Sequence, residues 1–307
     1  MTTKGTVVVT GGAGFLGSHL VPALLAEGYA VHVVDTLVAG KRENVPPEAT
    51  LHEIDVRDTQ ALGNLFASLG DVAGLFHLAA LPRVQFSIDH IEEAHDVNVN
   101  GTLSVLLAAR DAHVGRVVYS ASSAAYGDQT VLPFVETQLP NPLSPYAIHK
   151  YIGEQYCKNF SLHYGLPTVS LRYFNIYGPN ADPNGPYAQA IIKFIDQRKR
   201  GVPITITGDG EQTRDSVHVR DVVRANILAL TSPKVGHGEM MNIGSGKDCT
   251  INAIADMIGG ERVYITPRVE PRHHRANVER AKELLGWEPT IALADGIAEL
   301  KALHHIA

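Results

Sequence analysis

From Thr6 onward, short continuous apolar runs alternate with amphipathic stretches of helical spacing. A buried parallel strand reads as such a run and its crossover as such a helix, so the alternation predicts successive βαβ units. Thr6 to Val9 predicts a first strand, Phe15 to Glu27 a helix stopped by Gly28, and Ala30 to Val34 a second strand ending at Asp35. Further strands are expected at Leu51 to Ile54, Gly74 to Leu78, Arg116 to Ser120 and Thr168 to Tyr173, with helices at 59–68, 90–112 and 145–164. A sheet of about seven parallel strands suits this order. Beyond Asn175 the texture changes, because the Gly- and Pro-rich run from Gly178 to Pro186 cannot form a regular element. A helix over Tyr187 to Arg200, strands near 204–207 and 215–218, a helix over Arg220 to Leu230 and three short helices follow, at Thr250 to Met257, Arg280 to Leu285 and Ala292 to Leu303. The expected architecture is α/β: a Rossmann-type doubly wound parallel sheet over 1–174, to which 217–245 returns, and a smaller α/β substrate-binding lobe from 175–216 and 246–307.

Composition narrows the partners. The chain has 307 residues, 45% hydrophobic and 19% charged, enough apolar material for a large core. Lys plus Arg number 26 against 32 Asp plus Glu, a net charge of −6, and no basic run invites a nucleic acid. No stretch reaches the ~18 apolar residues of a membrane span. Two cysteines, Cys157 and Cys249, make no disulfide framework, and the N-terminus runs straight into a strand pattern, so an unprocessed cytoplasmic protein is expected. The 15 histidines include the adjacent pairs His273-His274 and His304-His305 but no cluster with ligand spacing, so no metal is expected.

Candidate chemistry sits between the first strand and its helix, where Thr10-Gly11-Gly12-Ala13-Gly14-Phe15-Leu16-Gly17 places glycines at 11, 14 and 17. Glycine there admits positive φ, close approach of backbone to a pyrophosphate, and close helix–strand packing, and the helix N–H groups face the phosphates. Asp35 follows Gly17 by 18 residues and ends the second strand, the place for a carboxylate that takes ribose hydroxyls. Its charge repels a 2′-phosphate, which favours NAD over NADP, while Lys41 and Arg42 leave a phosphate partner open. Further on, Ser144-Pro145-Tyr146-Ala147-Ile148-His149-Lys150 starts a helix with Tyr146 and Lys150 on one face. A cationic neighbour favours phenolate, and a phenolate can take a hydroxyl proton. The hydroxyl-rich run Ser120-Ala121-Ser122-Ser123 ends a strand at the sheet's carboxyl edge, where doubly wound sheets bind ligands.

Taken together, the glycine turn, Asp35, Asp55-Val56, His77-Leu78-Ala79-Ala80, Asn98-Val99-Asn100-Gly101-Thr102, Ser122, Tyr146 with Lys150 and Arg172-Tyr173-Phe174-Asn175 resemble the extended short-chain dehydrogenase/reductases. More narrowly, the chain is similar to the NAD-dependent nucleotide-sugar epimerases and dehydratases typified by UDP-glucose 4-epimerase. The resemblance implies that Asp55 and Val56 hold the adenine, that Leu78, Ala79 and Ala80 line the cofactor with Ser120, that Asn98 supports the Tyr and Lys arrangement, and that Tyr173 lies near the nicotinamide. It implies Ser122 as the hydroxyl that orients the reacting oxygen, with Ser123 as fallback. Asn175 and Arg214, with Arg268 or Arg272, match the family's diphosphate donors, and Thr205 and Thr207 its base-contacting strand. The stretch from Pro267 to Asn277 is shorter than the family's loop, so Arg268 and Arg272 are alternatives, and Pro82, followed by Arg83, stands where the best-known epimerase has a cofactor-contacting lysine.

The reaction is expected from what is missing beside Tyr126-Gly127. Family dehydratases and decarboxylases carry acids there; this chain has Ser123, Ala124 and Ala125, and neither cysteine lies close by as in the 3,5-epimerases. A 4-epimerase acting on a UDP-hexose or UDP-uronate is therefore expected, ahead of a keto-sugar reductase or dehydratase, and ahead of a non-catalytic NAD sensor on the same fold. The apolar faces of the helices at 90–112 and 145–164 would pair two copies in a homodimer, as in the family.

Overall fold

A computed structural model describes residues 3–82, 84–183, 189–267 and 271–306. The strands are β1 (Thr6–Thr10), β2 (Ala30–Val34), β3 (Thr50–His52), β4 (Val72–His77), β5 (Val117–Ser122), β6 (Thr168–Tyr173), β7 (Asn175–Tyr177), β8 (Ile204–Thr207), β9 (Thr213–His218), β10 (His237–Ile243), β11 (Asp248–Thr250) and β12 (Arg262–Ile265). The helices are α1 (Gly17–Ala26), α2 (Thr59–Leu69), α3 (Val84–Asp89), α4 (Ile91–His95), α5 (Gly101–Asp111), α6 (Pro145–Tyr164), α7 (Ala190–Lys199), α8 (Val219–Thr231), α9 (Ile251–Ile258), α10 (Glu279–Leu285) and α11 (Leu293–Leu303).

Seven strands form one sheet in the order β10-β6-β5-β4-β1-β2-β3, every pair parallel. The order reverses between β1 and β4, which opens a crevice at their carboxyl ends. Val7, Val8 and Val9 have no exposure at all, because helices cover both faces of the sheet. One apolar cluster joins α1, α8 and α10 to one face, and a second joins α2, α5 and α6 to the other. Gly74 of β4 lets α8 settle on the sheet: a Cβ there would stand 2.3 Å from a Leu230 methyl. The seventh strand, β10, comes from His237–Ile243, a segment whose mixed polarity gave no strand signal; it pairs with β6 after α8 has crossed back over the sheet.

The remaining elements form two small sheets, β11-β9-β7 and β12-β8, around a separate core of Ile191, Phe194, Ile204, Ile206, Ile254 and Ile297. The expected continuous helix over 90–112 is interrupted. Residues Asp96–Asn100 form a π turn between α4 and α5, and the wider turn re-aims Asn98 toward the loop after β4. No helix among the described residues is long and apolar enough to cross a membrane, and Cys157 and Cys249 are free thiols.

Candidate active site

The glycine turn closes on the mouth of the crevice. Gly11 has φ of 71°, and a Cβ on it would stand 2.6 Å from the Ala79 nitrogen, so the β1–α1 turn and the loop after β4 touch through backbone. A Cβ on Gly17 would meet the Gly12 carbonyl oxygen at 2.3 Å. No side chain caps α1 and its first turn holds no acid, so no negative side chain competes with an anion at this helix end, although the N–H groups of Ser18, His19 and Leu20 donate to the Gly14 and Leu16 carbonyls. Asp35 accepts from the Ala13 nitrogen at 3.0 Å and the Leu37 nitrogen at 2.9 Å, one per oxygen, so the carboxylate is aimed while lone pairs remain for two hydroxyls. Arg42 pairs with Glu53, away from Asp35. These residues fit a dinucleotide without a 2′-phosphate.

Phe15 and Leu16 lie in the turn just before α1, and Leu78, Ala79 and Ala80 are all partly open, the first two beside Gly11. Val56 is buried against Gly101. Asp55 is gripped by Arg57, whose Nε lies 3.0 and 3.1 Å from the two carboxylate oxygens, and the contact holds the Asp55 carboxyl below its ordinary pKa. A contact with adenine would have to share that carboxylate with the guanidinium.

Tyr146 and Lys150 stand one turn apart on α6. Ser144 caps the helix by accepting from the Ala147 nitrogen at 3.2 Å, Pro145 occupies the first turn, and Ser87 of α3 accepts from the Tyr146 nitrogen at 3.0 Å. Gly153 lets α6 press on Tyr119, since a Cβ there would stand 2.1 Å from the phenolic oxygen. Lys150 is 5% exposed; its ammonium donates to the Ser120 carbonyl at 2.7 Å and lies 5.1 Å from the Tyr119 ring centre. Burial lowers its pKa to about 8, against the pull of Cys157 and Glu154.

The Tyr146 phenol departs from expectation. Burial raises its pKa above the ordinary value, and the opposing influence is the Ser122 hydroxyl, not the ammonium. Lys150 is not among the groups that lower it, so a lowered phenol needs a further positive group at the crevice. Ser122 ends β5 and accepts from the Ala124 nitrogen at 3.2 Å, and this short turn fixes its hydroxyl beside Tyr146 while burying Ser123. Ser120 also donates through its hydroxyl to Tyr173 at 3.3 Å, and Tyr173 in turn donates to Asn226 of α8 at 2.8 Å. Burial and these contacts leave the Tyr173 phenol at about 12.

Several expected roles change. The Asn98 side-chain amide accepts from the Leu81 nitrogen at 2.7 Å and donates to the Leu81 oxygen at 3.1 Å, so these hydrogen bonds go to the loop after β4. Asn175 turns its NH₂ to the Asp215 carbonyl at 2.7 Å and toward His274 at 3.5 Å, so these donors are not aimed at a diphosphate. Arg272 forms an exposed two-pronged pair with Asp209 at 2.9 and 2.8 Å, while Arg268 and Arg83 lie outside the described residues. Arg214 donates to its neighbour Thr213's carbonyl at 2.8 Å. Thr205 receives the Gln197 amide at 2.8 Å, and the Thr207 carbonyl receives Gln212 at 2.8 Å. The buried pair of Glu154 and Arg172, with two contacts of 2.7 Å, lies one turn beyond Lys150; its i+4 spacing from Lys150 was the available signal.

The sequence from 7 to 244 matches the model of the NAD dependent epimerase/dehydratase family. The chain belongs to that family. Among relatives of this NAD-dependent epimerase/dehydratase, a putative UDP-glucose 4-epimerase of Methanocaldococcus jannaschii is 38% identical over 299 residues, covering 95% of each chain. The crystal structure of UDP-glucose 4-epimerase with UDP-glucose from Thermotoga maritima superposes with a TM-score of 0.92 at 38% identity, covering 98% of each chain. A UDP-N-acetylglucosamine 4-epimerase from Methanobrevibacter ruminantium, solved with UDP-N-acetylmuramic acid, gives 0.90 at 34%, covering 99% of this chain and 100% of that one. The cofactor of the family is NAD, in keeping with Asp35 at the end of β2.

Proposed function

We propose that this family member is a nucleotide-sugar 4-epimerase that inverts C4 of a UDP-hexose or UDP-uronate through a transient 4-keto sugar. The observation that carries the reading is the meeting of Tyr146 with Ser122 at the crevice, with Ser123, Ala124 and Ala125 in place of the acids that water elimination would need. The names of the similar proteins from Methanocaldococcus, Thermotoga and Methanobrevibacter all specify UDP-sugars, which supports the nucleotide.

Tyr146 takes the proton of the sugar 4-hydroxyl and later gives it back to the same oxygen, once the 4-keto sugar has turned over so that its opposite face receives the hydride. NAD⁺, when bound, accepts a hydride and returns it, so no net oxidation results. Ser122 holds the reacting oxygen, and Lys150 supplies a fixed positive charge beside the coenzyme's ribose. Arg214 is the side chain we assign to the substrate diphosphate, since a guanidinium can hold phosphate oxygens in two-pronged fashion. Two copies pair through the face that carries the exposed Ile88, Ile91 and Ile148.

The test is mass analysis of small molecules released from the denatured protein, followed by a screen of UDP-hexoses and UDP-uronates. Retained NAD and interconverted C4 epimers support the reading. Stoichiometric consumption of added NADH identifies a reductase instead, and NAD binding without sugar turnover identifies a sensor.

A further inference from the structure

A chain of hydrogen bonds, made by side chains and by the main-chain carbonyl of Asn98, runs beneath the crevice through four residues that are all at most 2% exposed: Thr10, His77, Thr102 and Asn98. Their proton positions can be assigned by counting donors. The Thr102 hydroxyl donates to the Asn98 carbonyl at 2.7 Å, and it has one hydrogen to give. Toward His77 Nε2, at 3.0 Å, it therefore accepts, which places the ring proton on Nε2. His77 Nδ1 is then the acceptor and takes the Thr10 hydroxyl at 2.7 Å. A lone pair left on Thr10 accepts from the Ala79 nitrogen at 3.3 Å. At the other end, the Asn98 amide grips both backbone groups of Leu81.

Both ends of the chain therefore fall on the loop that leaves β4, at Ala79 and at Leu81. That loop is the wall against which Gly11 rests with no room for a Cβ. We propose that His77 is a positioning residue of the coenzyme site: as a neutral imidazole protonated on Nε2, it ties the exits of β1 and β4 to α5 and holds the backbone from Leu78 to Leu81 against the glycine turn. Of the two neutral tautomers only this one satisfies all of these contacts, and a buried donor left facing a donor is costly. Burial, with Lys150 nearby, pushes the ring's pKa down to about 3, which favours the neutral form. The inference rests on the family's NAD crevice for its function, but the relay itself is a property of the protein without ligand.

The experiment has two arms. Nitrogen-15 NMR of the unmodified protein should show His77 as the Nε2-protonated neutral tautomer; an imidazolium or a proton on Nδ1 overturns the proposal. In the second arm, His77→Leu should speed amide exchange at Ala79 and Leu81 tenfold or more, and weaken NAD at equilibrium about tenfold, the loss of one net hydrogen bond, with UDP affinity unchanged. Thr10→Val and Thr102→Val should each reproduce part of this, and the double variant should fall short of their sum because both act through one ring. Unchanged exchange in His77→Leu, or strict additivity of the threonine variants, overturns it. Should the unmodified protein bind no NAD, the assignment of the crevice fails, while tautomer and exchange still decide the relay.

Discussion

The ammonium of Lys150 donates to the backbone carbonyl of Ser120 at 2.7 Å, one helical turn beyond Tyr146. The lysine is thereby anchored to the strand that ends in Ser122, so the base, its hydroxyl partner and the positive charge form one rigid unit spanning α6 and β5. Burial raises the Tyr146 phenol, and the Ser122 hydroxyl is the group that opposes it.

Replacing Tyr146 with Phe removes the hydroxyl to which the proposed mechanism gives the proton and leaves the helix intact. Turnover should fall by about 10³-fold or more, with NAD still retained in the purified protein. A coupled assay of C4 interconversion checks the first part and mass analysis the second; near-normal turnover would refute the role.

Lys150 illustrates a conflict between activity and stability. Its pKa in the fold, about 8, lies below the ordinary 10.5, so between those values the unfolded chain binds more protons and stability rises with pH. Below pH 8 both states are charged and the burial cost is felt in full. Lys150→Met should therefore abolish turnover yet stabilise the ligand-free protein at pH 7 by about 1–3 kcal/mol, the converted pKa difference less the lost bond to Ser120. Thermal melts at pH 7 read the sign, and a lower Tm would show that Ser120, Tyr119 and Glu154 outweigh burial.

Asp35 stands just past the end of β2 with both oxygens oriented by backbone N–H groups, the carboxylate we propose for the coenzyme's ribose. Asp35→Ala should weaken NAD by about 10- to 100-fold, the scale of hydrogen bonds to a charged acceptor, and should improve NADP relative to NAD. Fluorescence titration with both coenzymes gives the ratio; an unmodified protein that prefers NADP would contradict the assignment.

Glu154 and Arg172 are 2% and 1% exposed at the side chain and joined by two contacts of 2.7 Å, with the guanidinium 4.5 Å from the Tyr126 ring centre. Removing either partner alone leaves a buried charge unmatched and should cost about 3–5 kcal/mol, whereas replacing both with Met should cost far less. A double-mutant cycle by urea unfolding measures the difference. Equal and additive losses would mean that the pair is not coupled.

The parallel order of the sheet, the glycine turn, Asp35 and the i, i+4 placement of Tyr146 and Lys150 follow from the sequence alone, because hydrophobic periodicity, glycine's freedom at positive φ and helical spacing are local properties. Their meeting with Ser122 is partly legible, since a strand end and a helix start at a sheet's carboxyl edge converge by topology. What only the tertiary structure decided is which partner each polar group takes. Asn98 turned to Leu81, Asn175 to Asp215, Arg272 to Asp209 and Lys150 to Ser120, and His77 acquired a fixed tautomer between two threonines distant in sequence. The physical reason is that a buried donor or acceptor must be satisfied by whatever the packing brings within 3 Å or so, and that neighbour is set by three-dimensional proximity, on which local sequence pattern is silent.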